Sequence, residues 1–284
     1  MKVLVFGAAG QIGEELVRHA RAGGHEVTGL TRADHDVADA EATRARIQDA
    51  GPDAVYNAAA YTAVDRAESE PEMATAVNRG APAVMAAACA EVGARFVHFS
   101  TDYVFDGSAT VPIPEDANPA PLGVYGRSKL EGEEAIRVAG GDAYIVRTSW
   151  VYGLHGGNFV RTVLRVTRET GAMRVVDDQR GSPSWARDVA AASMRLIEVG
   201  PPGTYHLTNG GECSWYDLAR ATVAHAQVAA ELTPIGTADY PTPAARPRYS
   251  VLDNRRWREL GQRPLRGWQE ALDEFLDELA GVAT

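Results

Sequence analysis

Lys2-Val3-Leu4-Val5-Phe6-Gly7-Ala8-Ala9-Gly10-Gln11-Ile12-Gly13 is the stretch that decides the fold. Residues 3–6 form a continuous apolar run, the pattern of a strand buried on both faces of a parallel sheet. The run ends on a glycine turn and passes directly into residues 11–22, where Ile12, Leu16 and Ala20 recur at helical spacing. Glycines let a backbone turn tightly and approach a ligand closely, and a helix start offers free N–H groups to a pyrophosphate. Gly7, Gly10, Gln11, Ile12 and Gly13 are therefore candidate nucleotide-binding residues.

Outward from this unit, the spacing predicts strands over 26–30, 54–57, 95–100 and 143–148. Helices are expected over 40–50, 72–92 (with Pro82 inside) and 122–139. Strand and helix alternating in this order define an α/β class, a Rossmann-like doubly wound parallel sheet with crossover helices on both faces. After Trp150 the pattern loosens. Helices are expected over 158–169, 186–199, 215–227 and 268–279 and strands over 173–176 and 203–207, with a proline-rich loop at Tyr240-Pro241-Thr242-Pro243-Ala244-Ala245-Arg246-Pro247. The expected organisation is a dinucleotide-binding domain over 1–155, to which 173–200 returns. Residues 156–172 and 201–284 then form a smaller C-terminal substrate-binding lobe.

With 284 residues the chain is long enough for one large or two closely joined domains at about 150 residues each. Its 28 Lys+Arg against 38 Asp+Glu give a net charge of −10, which offers no electrostatic footprint for nucleic acid or an anionic membrane. No apolar run approaches the roughly 20 residues that span a bilayer, and the opening apolar stretch is too short for a signal peptide. A soluble, cytoplasmic protein is expected. Cys89 and Cys213 suit neither a disulfide framework nor a metal site, and the seven histidines show no metal-ligand spacing. His98 reads as packed or hydrogen-bonded, and Trp185, Trp215, Trp257 and Trp268 as core of the second lobe.

Chemistry enters with Tyr125-Gly126-Arg127-Ser128-Lys129, which puts Tyr125 and Lys129 at i and i+4 on one helix face. A phenol is a weak acid at neutrality, and an adjacent ammonium is expected to lower its pKa. The preceding strand ends in Ser100-Thr101-Asp102, whose Thr101 hydroxyl can hydrogen-bond a substrate carbonyl beside the tyrosine. The end of the second strand reads Thr31-Arg32. An arginine with no carboxylate at that point favours the 2′-phosphate of NADPH over the free ribose of NADH, although NADH can also be accepted.

The GxxGxxG turn and the Tyr/Lys pair occur together with three longer stretches. These are Asn57-Ala58-Ala59-Ala60-Tyr61-Thr62-Ala63-Val64-Asp65, Ser100-Thr101-Asp102-Tyr103-Val104-Phe105-Asp106-Gly107 and Arg147-Thr148-Ser149-Trp150-Val151-Tyr152-Gly153. With Asp178-Gln179-Arg180-Gly181-Ser182-Pro183 and Tyr240-Pro241-Thr242-Pro243, this set resembles the dTDP-4-dehydrorhamnose reductase family of extended short-chain dehydrogenases/reductases over nearly the whole chain. The resemblance implies reduction of the C4 ketone of dTDP-4-dehydro-β-L-rhamnose, with Thr101, Tyr125 and Lys129 catalytic. It further implies adenosine contacts at Asp36 and Val37, a cofactor-side loop at Ala58, Ala60, Tyr61 and Thr62, and a sugar site containing Asp102 and Trp150. Asn158 is a candidate contact to the diphosphate or a plain helix N-cap. Arg246 or Arg248 is a candidate to pair with the diphosphate, or a surface arginine.

Two other functions stay open at this stage. A related epimerase or dehydratase shares the fold and the Tyr/Lys pair, but Thr101 is followed by Asp102-Tyr103 rather than the Asp-Glu of dehydratases. A non-catalytic nucleotide-binding regulatory subunit is the other, disfavoured because Tyr125 and Lys129 are both present. Some members bind Mg²⁺ across a dimer through an acidic residue matching Glu15 and an acidic pair in a later helix. Arg187 stands where one of that pair is expected, so no metal and no metal-bridged dimer are expected, only a monomer or weak homodimer.

Overall fold

The computed structural model describes residues 1–282, so the final two residues of the lobe expected to end at 284 lie outside the described residues. In chain order the first half contains β1 (Lys2–Phe6), α1 (Gln11–Ala22), β2 (Glu26–Leu30), α2 (Ala40–Ala50), β3 (Ala54–Asn57), α3 (Val64–Ala67), α4 (Pro71–Thr75), α5 (Ala81–Val92), β4 (Arg95–Thr101), α6 (Val124–Ala139) and β5 (Ala143–Thr148). The second half contains β6 (Val151–Tyr152), α7 (Phe159–Thr170), β7 (Ala172–Val176), β8 (Arg180–Gly181), β9 (Ser184–Trp185), α8 (Ala186–Val199), β10 (Gly203–His206), β11 (Cys213–Ser214), α9 (Trp215–His225), β12 (Glu231–Ile235), α10 (Arg255–Glu259) and α11 (Trp268–Val282).

Six parallel strands form the main sheet in the order β10-β5-β4-β3-β1-β2. Chain order reverses between β1 and β3, and such a reversal leaves a crevice at the strands' C-terminal ends. Phe6 pairs with Asn57, Asn57 with His98, and Thr101 with Thr148, so the ends that carry chemistry lie side by side. One face of the sheet packs Val3, Val5 and Tyr56 against α1 and α8, and the other packs Leu4, Phe6 and Val55 against Met85, Cys89 and Ile136. Local signals explain the helix ends: Asp39 caps α2 by accepting from Ala42 N at 3.0 Å, and Gly51 closes it in the left-handed region.

The helix expected over 72–92 is interrupted. α4 and α5 are joined by a π turn at Ala76–Gly80, directly before Pro82. A proline has no N–H to continue the ladder and crowds the preceding turn, which widens to accommodate it. The freed Asn78 side chain accepts from Tyr61 N at 2.9 Å and donates to Ser128 Oγ at 3.0 Å, tying the Tyr61 loop to α6.

The second lobe is built around Tyr152, Val160, Leu164, Trp185, Trp268, Leu272 and Phe275. Strand pairing departs from the expected boundaries at two points, and core packing at a third. β7, expected to return to the first domain, pairs in parallel with β12 in the second lobe. β10, expected in the lobe, is the sixth strand of the main sheet. Trp257 of α10 joins the core beneath that sheet rather than the lobe's own core.

Candidate active site

β4 and α6 bring the catalytic candidates together. Thr101 ends β4, and its Oγ1 accepts from Tyr103 N at 3.1 Å, capping the short helical turn Asp102–Val104. The same hydroxyl donates to Asp102 Oδ1 at 3.0 Å. Tyr125 and Lys129 stand one turn apart on α6. Gly126 lets that helix press onto the β4 turn, because a Cβ there would lie 2.1 Å from Tyr103 O. One turn further, the fully buried Glu133 accepts from Ser100 Oγ at 2.6 Å, from Arg147 at 2.9 and 2.7 Å and from Arg137 at 2.8 Å. This buried knot fastens α6 to β4 and β5.

Thr101, Asp102, Tyr125 and Lys129 open onto one cavity of about 530 Å³, whose other walls include Gly10, Gln11, Ile12, Ala58, Ala60, Thr62, Trp150 and Trp215. A second cavity of about 330 Å³ shares Gly10, Ala58 and Ala60 and continues past Gly7, Thr31, Arg32, Asp36, Val37 and Tyr61. The glycine turn lies between them. Gly13 packs under it so closely that a Cβ would sit 2.1 Å from Gly7 O. α1 starts at Gly10 without a side-chain cap, leaving first-turn N–H groups for an anion. Two adjoining cavities that share the glycine turn and an uncapped helix start fit an elongated dinucleotide with its pyrophosphate at the turn.

Electrostatics differ from expectation at the Tyr/Lys pair. Burial pushes the Tyr125 phenol up to about 12, with Asp102 adding to the rise and a hydrogen bond with Thr101 opposing it. The partners of Lys129 Nζ are Phe99 O at 2.6 Å and His98 Nε2 at 3.1 Å, not the Tyr125 hydroxyl. Burial lowers Lys129 to about 7, against the raising influence of Glu133. The expected depression of the phenol by Lys129 is not seen: desolvation is the largest influence on it, and Lys129 is not among the others. Burial also pushes the Asp102 carboxyl up to about 6, against hydrogen bonds with Ser250 and Thr101.

The remaining candidates divide. Arg32 is exposed on the second cavity, but the end of β2 does carry a carboxylate: Asp34 folds back to accept from Thr31 N at 2.9 Å and Thr31 Oγ1 at 2.7 Å. Asn158 is not brought to the catalytic cavity. Its Oδ1 caps α7 by accepting from Arg161 N at 3.0 Å, and its amide donates to Gln11 Oε1 and Gly153 O. Arg246 is engaged with Asp65 at 2.8 Å and lines a third cavity of about 320 Å³ with Arg174, Gln179 and Tyr240.

Trp150 lines the catalytic cavity with a positive φ of 47°, its ring stacked on Trp215 at 3.5 Å. Trp215 packs at the edge of the lobe's core, as expected, and also walls both this cavity and the third. Nothing local in the sequence distinguishes it from the other tryptophans. Arg187 lies 3.8 Å from Glu15, 3.6 Å from Glu274 and in contact with Glu278. Among the described residues no group of three or more His, Cys, Asp or Glu is placed to hold a metal.

A dinucleotide cradle joined to a Thr, Tyr and Lys set on one cavity defines an NAD(P)H-dependent oxidoreductase of the short-chain type. The chain belongs to the family described as RmlD substrate binding domain, which matches residues 1–280. It is 42% identical over 287 residues to a dTDP-4-dehydrorhamnose reductase of Mycolicibacterium smegmatis, covering 100% of this chain and 87% of that one. It is 43% identical over 277 residues to the spore coat polysaccharide biosynthesis protein SpsK of Bacillus subtilis, covering 98% and 97%. The crystal structure of dTDP-4-dehydrorhamnose reductase from Bacillus anthracis in complex with NADP is 35% identical, with a TM-score of 0.95 over 98% of this chain and 99% of that one.

Proposed function

We propose that this protein reduces the C4 ketone of dTDP-4-dehydro-β-L-rhamnose to dTDP-β-L-rhamnose, the last step of dTDP-L-rhamnose synthesis, with NADPH preferred and NADH also accepted. The observation that carries this reading is the shared cavity, in which Thr101, Tyr125 and Lys129 face the glycine turn. The dinucleotide, when bound, supplies a hydride to the carbonyl carbon. Tyr125 donates its phenolic proton to the oxygen that gains charge, and Thr101 orients that oxygen. A phenol pushed up to about 12 stays protonated at neutral pH, the form a reduction needs. Solvent then returns the proton to Tyr125.

Gly7, Gly10, Gln11, Ile12 and Gly13 hold the pyrophosphate, Thr31, Arg32, Asp36 and Val37 the adenosine half, and Ala58, Ala60, Tyr61 and Thr62 the intervening length. Lys129 holds the nicotinamide ribose. Asp102 and Trp150 face the sugar, and Arg246 stands in the adjoining cavity that suits the nucleotide of the substrate; Asn158 acts through Gln11. The dinucleotide half of the reading falls on residues 1–155 with α8 and β10, the substrate half on the second lobe. No helix among the described residues is long and apolar enough to cross a membrane. A cytoplasmic monomer or weak homodimer, without bridging metal, nucleic acid or membrane, completes the proposal. The test follows NADPH absorbance with enzymatically made dTDP-4-dehydro-β-L-rhamnose, beside UDP- and GDP-linked analogues. Turnover confined to the dTDP sugar supports the reading; no oxidation with any of them removes it.

A further inference from the structure

We propose that Asn57 and His98 form a one-way hydrogen-bond chain that holds Lys129 as a neutral amine, which makes His98 a positioning residue for the lysine. The register of β3 and β4 pairs Asn57 with His98, so the two side chains meet at the strand ends beneath the catalytic cavity. Ala59 N donates to Asn57 Oδ1 at 3.1 Å, and a backbone N–H cannot reverse its role. This fixes the other end of the amide as nitrogen. Asn57 Nδ2 faces His98 Nδ1 at 3.0 Å and can only donate, so Nδ1 carries the lone pair.

The His98 ring is fully buried, and because the Asn57 amide donates to Nδ1 the ring cannot carry a proton on both nitrogens; burial itself lowers its basicity. Its proton therefore sits on Nε2, pointing across 3.1 Å at Lys129 Nζ. An ammonium has three donors and no acceptor, and would meet that proton head-on. An amine has one lone pair to receive it, and still donates to Phe99 O at 2.6 Å. Flipping the Asn57 amide gives no escape, because its NH₂ would then face Ala59 N–H.

The surrounding charges leave this arrangement intact. Glu133, one turn along α6, is the anion that acts on Lys129, and its carboxylate is already taken by Arg147, Arg137 and Ser100. Tyr125 precedes Lys129 by one turn and is a neutral phenol, and Asp102 at the end of β4 is held by Thr101. When Lys129 takes up a proton it loses the His98 bond, and its donors are freed toward the cavity it lines. That catalytic consequence rests on the reductase reading above; the protonation state does not.

The chain contains two lysines, Lys2 and Lys129, so a lysine side-chain NMR spectrum has two sets of signals, and Lys2→Arg leaves Lys129 alone. With full-length ¹³C,¹⁵N-lysine protein and no nucleotide added, the Lys129 Cε and Nζ shifts are expected to titrate near pH 7, against about 10.4 for an ordinary lysine. His98→Phe removes the donor, and Asn57→Asp reverses the chain by accepting from Nδ1. Each is expected to raise the midpoint by about one pH unit or more, a tenfold change in the protonation equilibrium. An ammonium persisting to about pH 9 in the wild type, or an unmoved midpoint in Asn57→Asp, overturns the proposal. Imidazole ¹⁵N shifts test it without any variant: a proton on Nε2 of His98 supports the chain, and a proton on Nδ1 refutes it. If the titration behaves as expected while the keto-sugar assay shows no turnover, the reductase reading fails and the chain stands.

Discussion

Glu133→Gln tests how α6 is held in place. In the native protein the Glu133 carboxylate is fully buried and neutralises Arg147, which is only 2% exposed. The amide keeps the shape but presents its N–H₂ to a guanidinium that needs acceptors, leaving a buried cation unpaired. Breaking a buried pair by removing one partner costs about 3–5 kcal/mol. At about 2–4 °C per kcal/mol for a domain of this size, Tm falls by roughly 6–20 °C at neutral pH. Burial pushes the Glu133 carboxyl up, but Arg147, Ser100 and Arg137 outweigh it and leave it below its ordinary value. A depressed folded-state pKa gives stability that is present above the unfolded value of about 4.3 and is lost as pH falls through the folded one. The wild-type advantage therefore narrows in acid. Thermal unfolding by circular dichroism, with kcat/KM at a temperature where both proteins are folded, reads both effects. A Tm within about 1 °C of wild type at neutral pH, or a gap that does not narrow in acid, refutes the reasoning.

Tyr125→Phe is expected to lower kcat by about 10²–10⁴ with little change in cofactor affinity; wild-type-like turnover would remove the phenol from the mechanism. Arg32→Asp should shift the ratio of kcat/KM for NADPH and NADH toward NADH, and an unchanged ratio would show that Arg32 does not read the 2′-phosphate. Gly13→Ala places a methyl against Gly7 O. Overpacking of about 1–3 kcal/mol should lower Tm by roughly 2–12 °C and weaken dinucleotide binding by titration, whereas unaltered values would show that the turn relaxes freely. Because the Arg187 guanidinium stands among Glu15, Glu274 and Glu278, light scattering should give the same mass with and without chelator; a chelator-sensitive dimer would contradict this.

The parts of the fold that were legible in the sequence are those governed by local burial. β2, β3, α2, α5's C-terminal end and α8 fall where their apolar runs, caps and glycine stops put them. The break at Ala76–Gly80 escaped periodicity because Pro82 acts on the turn before it and leaves the apolar spacing unchanged. β12 was not foreseen, since Glu231–Ile235 is largely exposed, contains Pro234 and gains its strand character only from pairing with β7. The Thr101, Tyr125 and Lys129 set was readable because one helix and one strand end carry it. The partners of Lys129 were not, because the contact of Asn57 with His98 exists only through the β3–β4 register. The Trp150–Trp215 stack joins residues far apart in the chain, and Asp34 reaches back to Thr31 only through a local turn.

The most direct test is a crystal structure of the protein with NADP⁺ and the dTDP-sugar product bound. The account predicts the pyrophosphate at the Gly10 helix start and the nicotinamide ring in the Thr101–Tyr125–Lys129 cavity. The sugar C4 should then lie about 3–3.5 Å from the nicotinamide C4, with its oxygen in hydrogen-bond reach of Tyr125. A nicotinamide ring outside that cavity, or a Tyr125 hydroxyl turned away from the sugar oxygen, would contradict it.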